Sequence, residues 1–207
     1  TVAEETLTLP QRRRPAASPS VPASGPDLEQ AANWLSHAQR PVVIAGLDAM
    51  NQNAGTALKS FCETFNAPLI TSYKAKGIIP ETHPLALGGA GLSPLADKHL
   101  VPFVQSADLI LLAGYDPIEM RPGWREIWDP ETTHVIDITA EPNTHYMHQA
   151  SLNFITDTAA TLSLLENAAT PQSTWENGEI DAVKTALSHA FPTDDLWGPA
   201  AVIDQCR

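Results

Sequence analysis

Two strand-length apolar runs constrain the fold of this chain more than any other feature. One spans Val42 to Ala45, launched by Arg40-Pro41, and the other spans Asp108 to Ala113; neither alternates with polar residues, and they stop at Gly46 and Gly114. A strand with one wet face alternates, whereas a strand covered on both faces reads as a continuous apolar run. The two runs therefore predict central strands of a parallel sheet with helices packed above and below. Between them lies a helix-length segment from about Ala54 to Asn66, with Leu58, Phe61, Cys62 and Phe65 on one face, and then a second run, Leu69 to Thr71, opened by Pro68. That order is strand, turn, helix, strand, with residues 47–55 read as the turn.

The remaining elements follow the same alternation. A first helix is predicted from about Asp27 to Ala38, with Leu28, Ala31, Ala32 and Leu35 at helical spacing, and another from about Leu95 to Gln105. Tyr115 to Pro130 predicts a short helix whose Trp124 and Trp128 pack inward. Strands are predicted at Thr133 to Ile138 and Asn153 to Thr156, and a helix at Thr158 to Asn167. Four to six strands alternating with helices give an α/β fold, a three-layer doubly wound parallel sheet of Rossmann-like type with about six strands.

Residues 1–26, dense in Pro, Ser and Ala, are expected to form an interdomain linker or arm, and Arg12 to Arg14 within it read as a solvated charge run. Residues 27–167 form the expected domain. Residues 168–207 read as a second linker, an amphipathic helix from Ile180 to His189, and the opening helix of a following domain. At 207 residues and 43% hydrophobic composition the chain can bury one sizeable core. No apolar run approaches the roughly 20 residues of a membrane helix, and the N-terminus lacks a signal-peptide pattern. Two cysteines, Cys62 and Cys206, build neither a disulfide framework nor a zinc site, which fits a reducing cytoplasm. A net charge of −12 argues against nucleic acid and acidic membrane surfaces as partners.

Candidate site residues gather at the expected strand ends. A dinucleotide site asks for Gly-x-Gly-x-x-Gly after the first strand, so that backbone amides can approach a pyrophosphate. Here only Gly46 is present, and Asp48 places a carboxylate where bare backbone is wanted. Thr71, Ser72 and Tyr73 with Lys76-Gly77, and a Gly-rich loop of Gly88, Gly89, Ala90 and Gly91, could hold a nucleotide or an acyl-carrier phosphate. The plainer reading is that the glycines permit tight packing, while Lys76 caps a helix or pairs with Glu81. Asp116, Glu119 and Arg121 follow the strand that ends at Gly114. Asp137, at the end of its strand, is placed either to accept ribose hydroxyls or to cap the next turn. His145-x-x-His148 has a metal-ligand spacing without a third ligand and reads as two surface histidines. No catalytic triad, Cys-His pair or nucleophile elbow stands out.

Taken in order, these pieces resemble the central domain of thiamine diphosphate (TPP)-dependent enzymes of the acetolactate synthase, benzoylformate decarboxylase and pyruvate oxidase group. The specific pieces are Lys76-Gly77, Pro80-Glu81-x-His83-Pro84, Gly88-x-x-Gly91, and Ala107-Asp108 before the strand ending in Gly114, and the likeness runs from Leu28 to Leu165. The resemblance implies a DHS-like NAD/FAD-binding domain type without a catalytic residue of its own. It implies an enzyme acting on 2-oxo acids by decarboxylation or carboligation. Thiamine diphosphate and Mg would be bound by a flanking N-terminal pyrimidine-binding domain and a C-terminal diphosphate-binding domain, in a homodimer or homotetramer. The C-terminal domain's Gly-Asp-Gly motif does not occur here. Some relatives carry FAD or ADP on this domain; the matching positions here are Gly46, Thr71, Ser72, Tyr73, Gly88, Gly91 and Asp137. Asp48 and Asp116 depart from the FAD-binding pattern, the second standing where the acetolactate synthase branch tends to carry an arginine, and both disfavour FAD. The alternative is a stand-alone nucleotide- or flavin-binding Rossmann-like module. A domain that serves assembly alone is a further alternative.

Overall fold

The computed structural model describes residues 18–144, 147–192 and 198–206. Six strands form one all-parallel sheet: β1 (Pro41–Ala45), β2 (Leu69–Ser72), β3 (Ala86–Ala90), β4 (Leu109–Ala113), β5 (His134–Thr139) and β6 (Leu152–Ile155). They lie in the order β3-β2-β1-β4-β5-β6. All five residues of β1 and all five of β4 are buried, and they pair in register from Pro41 opposite Leu109 to Ala45 opposite Ala113. The two unalternating runs are thus the innermost strands, where burial on both faces removes any position for a polar side chain.

The helices are α1 (Pro26–His37), α2 (Leu47–Asn51), α3 (Gly55–Phe65), α4 (Pro94–Gln105), α5 (Thr158–Ala168), α6 (Glu179–Ala190) and α7 (Pro199–Gln205). α5 packs against α3 and α1 on one side of the sheet, while α4 and α6 pack together on the other. Apolar residues at helical spacing face inward, such as Leu58, Phe61, Cys62 and Phe65 on α3, all nearly inaccessible to solvent. Burial also holds the Cys62 thiol well above its ordinary range, so it is a small core residue rather than a reactive one.

Three local expectations are corrected. The expected turn after Gly46 contains α2, a single short helix whose five residues are too few to show periodicity. The expected Gly-rich loop is edge strand β3: Leu69 pairs with Ala86 but Ile70 with Gly88, so Leu87 is an extra residue, and Gly88 absorbs the kink at φ 85°. The expected helix over Tyr115 to Pro130 is replaced by two single 3-10 turns, Pro117–Glu119 and Pro122–Trp124, because two prolines and Gly123 interrupt any longer ladder. Trp124 is buried as expected, and Trp128 is half-buried with its indole N–H donating to the Gln149 carbonyl at 3.3 Å.

The stretch 168–177 is pinned along the N-terminal edge of the sheet. Trp175 is buried, stacks on Phe103 with centroids 4.4 Å apart, and donates its indole N–H to the Pro41 carbonyl at 3.0 Å. Gln172 donates to the Ala38 carbonyl at 2.7 Å, and Asn66 donates to the Thr174 hydroxyl at 3.1 Å. From α6, Lys184 donates to the carbonyls of His83 and Pro84 at 2.8 and 2.9 Å. Asp108 joins the starts of β1 and β4 by accepting from the Gln39 and Arg40 amides at 2.7 and 2.8 Å. Among the described residues no helix is long and apolar enough to cross a membrane.

Candidate functional site

The strand order reverses between β1 and β4, since β2 and β3 lie to one side and β5 and β6 to the other. In open parallel sheets the crevice beyond the carboxyl ends of such a strand pair is where ligands bind. Gly46 follows β1, Thr71 and Ser72 end β2, Tyr73 follows them, and Gly91 follows β3, so these five candidates share the C-terminal edge of the sheet. Gly88 lies within β3. Asp137 lies inside β5, two residues before its end at Thr139. It is therefore not at the strand terminus, where the sequence suggested it.

The chain leaving β4 turns back over this crevice. Asp116, Pro117, Ile118 and Glu119 form a capping box: the Asp116 carboxylate accepts from the Ile118 amide at 3.0 Å, and Glu119 Oε1 accepts from the Asp116 amide at 3.3 Å. The same Glu119 carboxylate accepts from the Leu47 amide, at 3.1 Å to Oε1 and 3.3 Å to Oε2, and from the Ser72 hydroxyl. Glu119 is 3% exposed. A buried carboxylate needs such donors to offset its lost hydration. Gly46 makes the approach possible: a Cβ there would lie 2.7 Å from Glu119 Oε1 and 2.5 Å from both the Gly114 carbonyl oxygen and Tyr115 Cα. The close backbone approach at Gly46 is thus to the chain itself.

Beyond Glu119 the strap reaches the end of β3. Met120 packs onto Gly91, where any Cβ would collide with it, and the Arg121 amide donates to the Gly91 carbonyl at 3.2 Å. The Gly91 amide is taken by Asp97 Oδ1 at 2.9 Å. Gly91 has φ 83°, a left-handed conformation that glycine adopts without strain. Asp48 sits half-buried in the first turn of α2, and its own amide donates to the Gly114 carbonyl at 3.0 Å. Thr71 Oγ1 reaches the Gly88 carbonyl at 3.4 Å, Tyr73 is 42% exposed with the Lys74 ammonium 5.7 Å from its ring centroid, and Lys76 pairs with Glu81.

Two buried groups lie on the β4–β5 side of the crevice. Asp137 is 3% exposed, its Oδ1 has no hydrogen-bond partner, and burial pushes its carboxyl up to about 7. Tyr115 donates its hydroxyl to His148 Nδ1 at 3.0 Å, while His148 Nε2–H donates to the Trp124 carbonyl. This fixes the neutral Nε2–H tautomer, and burial lowers the imidazole's affinity for a proton. Burial first, and then the negative charges of Glu119, Asp116 and Asp137, hold the Tyr115 phenol well above its ordinary range. The expected surface position of His148 is corrected: it is 8% exposed, wedged between Tyr115 and Trp128, with both ring nitrogens engaged. His145, like Arg12 to Arg14, lies outside the described residues.

An open cleft of about 540 Å³ lies between the α2–α3 junction, which follows β1, and residues 77–80, which follow β2, with Lys59 its lone charged lining residue. Among the described residues no group of three or more His, Cys, Asp or Glu could hold a metal ion. The sequence named Glu119 without giving it a role; the signal for one was the Asp-Pro-x-Glu capping pattern directly after an apolar strand.

The family described as "Thiamine pyrophosphate enzyme, central domain" matches residues 28–165. The acetolactate synthase large subunit IlvG of Mycobacterium tuberculosis is 29% identical over 181 residues, covering 86% of this chain and 31% of that protein. A 3D-(3,5/4)-trihydroxycyclohexane-1,2-dione hydrolase of Lacticaseibacillus casei is 30% identical over 70% of this chain and 22% of its own length. Glyoxylate carboligase of Escherichia coli O157:H7 is 28% identical over 71% of this chain and 25% of its own length. The chain thus spans about a third or less of these relatives. Among solved structures, one described as thiamin diphosphate-dependent, from Mycobacterium smegmatis, superposes with a TM-score of 0.61 at 24% identity over 77% of this chain and 30% of its own, which shows the shared fold.

Proposed function

The chain belongs to the central-domain family of thiamine pyrophosphate enzymes, and from that premise we propose that it is the non-catalytic middle domain of an acetolactate synthase-like enzyme. The whole protein, on this reading, depends on thiamine diphosphate and Mg and acts on 2-oxo acids by decarboxylation and carboligation in the cytoplasm. The observation that carries the reading is the family match over residues 28–165, joined to relatives named as an acetolactate synthase and a glyoxylate carboligase. Both names describe carbon–carbon bond formation between small oxo compounds. When bound, thiamine diphosphate supplies the nucleophilic carbon and the electron sink for that chemistry.

The residues of this chain contribute scaffold and domain contacts. Polar groups at its crevice are satisfied within the chain: Glu119 accepts from the Leu47 and Asp116 amides and the Ser72 hydroxyl, and Tyr115 bonds to His148. Diphosphate and Mg would be held by a C-terminal domain and the pyrimidine by an N-terminal one, with the enzyme a homodimer or homotetramer. The stand-alone flavin module gains no support from a crevice in which the Leu47, Asp116 and Gly91 amides and the Ser72 hydroxyl already donate to carboxylates of the chain.

The test is made on the full-length enzyme with thiamine diphosphate and Mg, offered pyruvate, 2-oxobutyrate or glyoxylate. Cofactor-dependent loss of at least one 2-oxo acid with formation of a carboligation product is expected. No consumption of any of the three overturns the reaction class. Calorimetry on the 207 residues alone is expected to show no thiamine diphosphate binding, and tight binding there overturns the non-catalytic role.

A further inference from the structure

We infer that Glu119 sets the ligand status of this domain: the strap that carries it seals the β1–β4 crevice, so that the domain takes neither a dinucleotide nor an adenine nucleotide. This goes beyond the proposed reaction and does not depend on which 2-oxo acid is consumed. On a sheet of this order a dinucleotide lays its pyrophosphate over the turn after β1, against backbone amides approached closely at a glycine. The groups present do not fit such a guest. The Leu47 and Asp116 amides and the Ser72 hydroxyl all donate to one carboxylate, which is 3% exposed and tied to its own turn by the capping box.

A pyrophosphate entering here has two poor outcomes. If Glu119 stays, two or more negative charges lie within a few ångströms in a site shielded from water. If Glu119 is displaced, a buried carboxylate loses every donor that offsets its desolvation. The strap is fastened further along as well, by Met120 against Gly91 and by the Arg121 amide on the Gly91 carbonyl, so Glu119 does not swing out alone. Asp48 in the first turn of α2 and Asp116 at the start of the strap add negative charge at the ends of β1 and β4. Of the glycines that suggested a nucleotide cradle, Gly46 and Gly91 lie against the strap.

The test uses the full-length enzyme and has no catalytic readout, so its failure is distinct from failure of the proposed reaction. Wild-type protein is denatured and its released nucleotides are quantified, and the native protein is titrated with FAD and with ADP. Neither nucleotide is expected to be retained, and no binding is expected up to about millimolar concentration. Stoichiometric FAD or ADP, or micromolar affinity for either, overturns the inference. Glu119→Ala is then compared with wild type and Glu119→Gln by thermal unfolding, with sodium formate and with inorganic pyrophosphate as probes. Only Glu119→Ala, which leaves the donors uncovered, is expected to rise in midpoint, by about 2 °C or more. An equal response in all three proteins, or none in Glu119→Ala, overturns the assignment to Glu119. Should Glu119→Ala fail to fold, the wild-type nucleotide measurement still decides whether the crevice is sealed.

Discussion

Replacing Asp137 with asparagine tests a buried carboxyl in the sheet whose Oδ1 has no partner. Asp137 sits in β5 between Leu112 on β4 and Asn153 on β6, is 3% exposed, and leaves Oδ1 without a partner. Burial raises its carboxyl from 3.8 to about 7. Between about pH 4 and pH 7 the folded chain therefore keeps a proton that the unfolded chain has lost. Because the native state binds more protons across that window, stability falls as pH rises through it and levels off above about pH 7. At about 1.4 kcal/mol per pH unit, the loss across the window is on the order of 4 kcal/mol. Asparagine keeps the size, removes the titration and can donate as well as accept. Asp137→Asn is expected to match wild type within about 1 kcal/mol near pH 4 and to exceed it by roughly 2–4 kcal/mol near pH 8. The assay is urea unfolding followed by tryptophan fluorescence at several pH values, extrapolated linearly. Other carboxylates titrate in both proteins, so the difference between the two curves isolates Asp137. Parallel stability curves from about pH 4 to pH 8 would refute the reasoning.

Other substitutions probe the features around it. Gly46→Ala places a Cβ 2.5 Å from backbone atoms of Gly114 and Tyr115, and a loss of about 3 kcal/mol is expected because backbone cannot yield as a side-chain tip can; a neutral result in urea would contradict the close approach. Trp175→Ala removes the stack on Phe103 and the bond to the Pro41 carbonyl. It should cost about 3–5 kcal/mol, and hydrogen exchange should show α6 loosened before the central strands. Lys184→Met keeps the aliphatic stem but loses both carbonyl contacts to residues 83 and 84. A loss of about 1–2 kcal/mol is expected, with faster proteolysis near that loop.

The sequence revealed most where its physics is local or strongly patterned. β1 and β4 were legible because burial on both faces leaves an apolar run without polar alternation. The helices with an apolar stripe were placed within a residue or two, and Pro68 marked the boundary between α3 and β2 through its fixed φ. β3 was not legible, because Gly88 and Gly89 have poor strand propensity and only the bulge opposite Leu69 and Ile70 reconciles them with pairing. α2 was too short for any period. At the site, Gly46, Ser72 and Gly91 were recognised as sharing one edge, but not what they touch. The contacts from Glu119 to Leu47 and Ser72 span 72 and 47 residues of chain, and no spacing rule connects residues so far apart. The buried Tyr115–His148 pair was hidden for the same reason.

The strap over the crevice also changes how the domain responds to its surroundings. A domain held together in part by an exchangeable nucleotide is most stable when that nucleotide is abundant and weakens as supply falls. A carboxylate delivered by the same polypeptide is present at a local concentration set by a few residues of tether, whatever the cell contains. Its occupancy does not vary with dilution, purification or growth conditions. For this chain, then, the midpoint of unfolding is expected to be the same before and after exhaustive dialysis, and unmoved by added flavin.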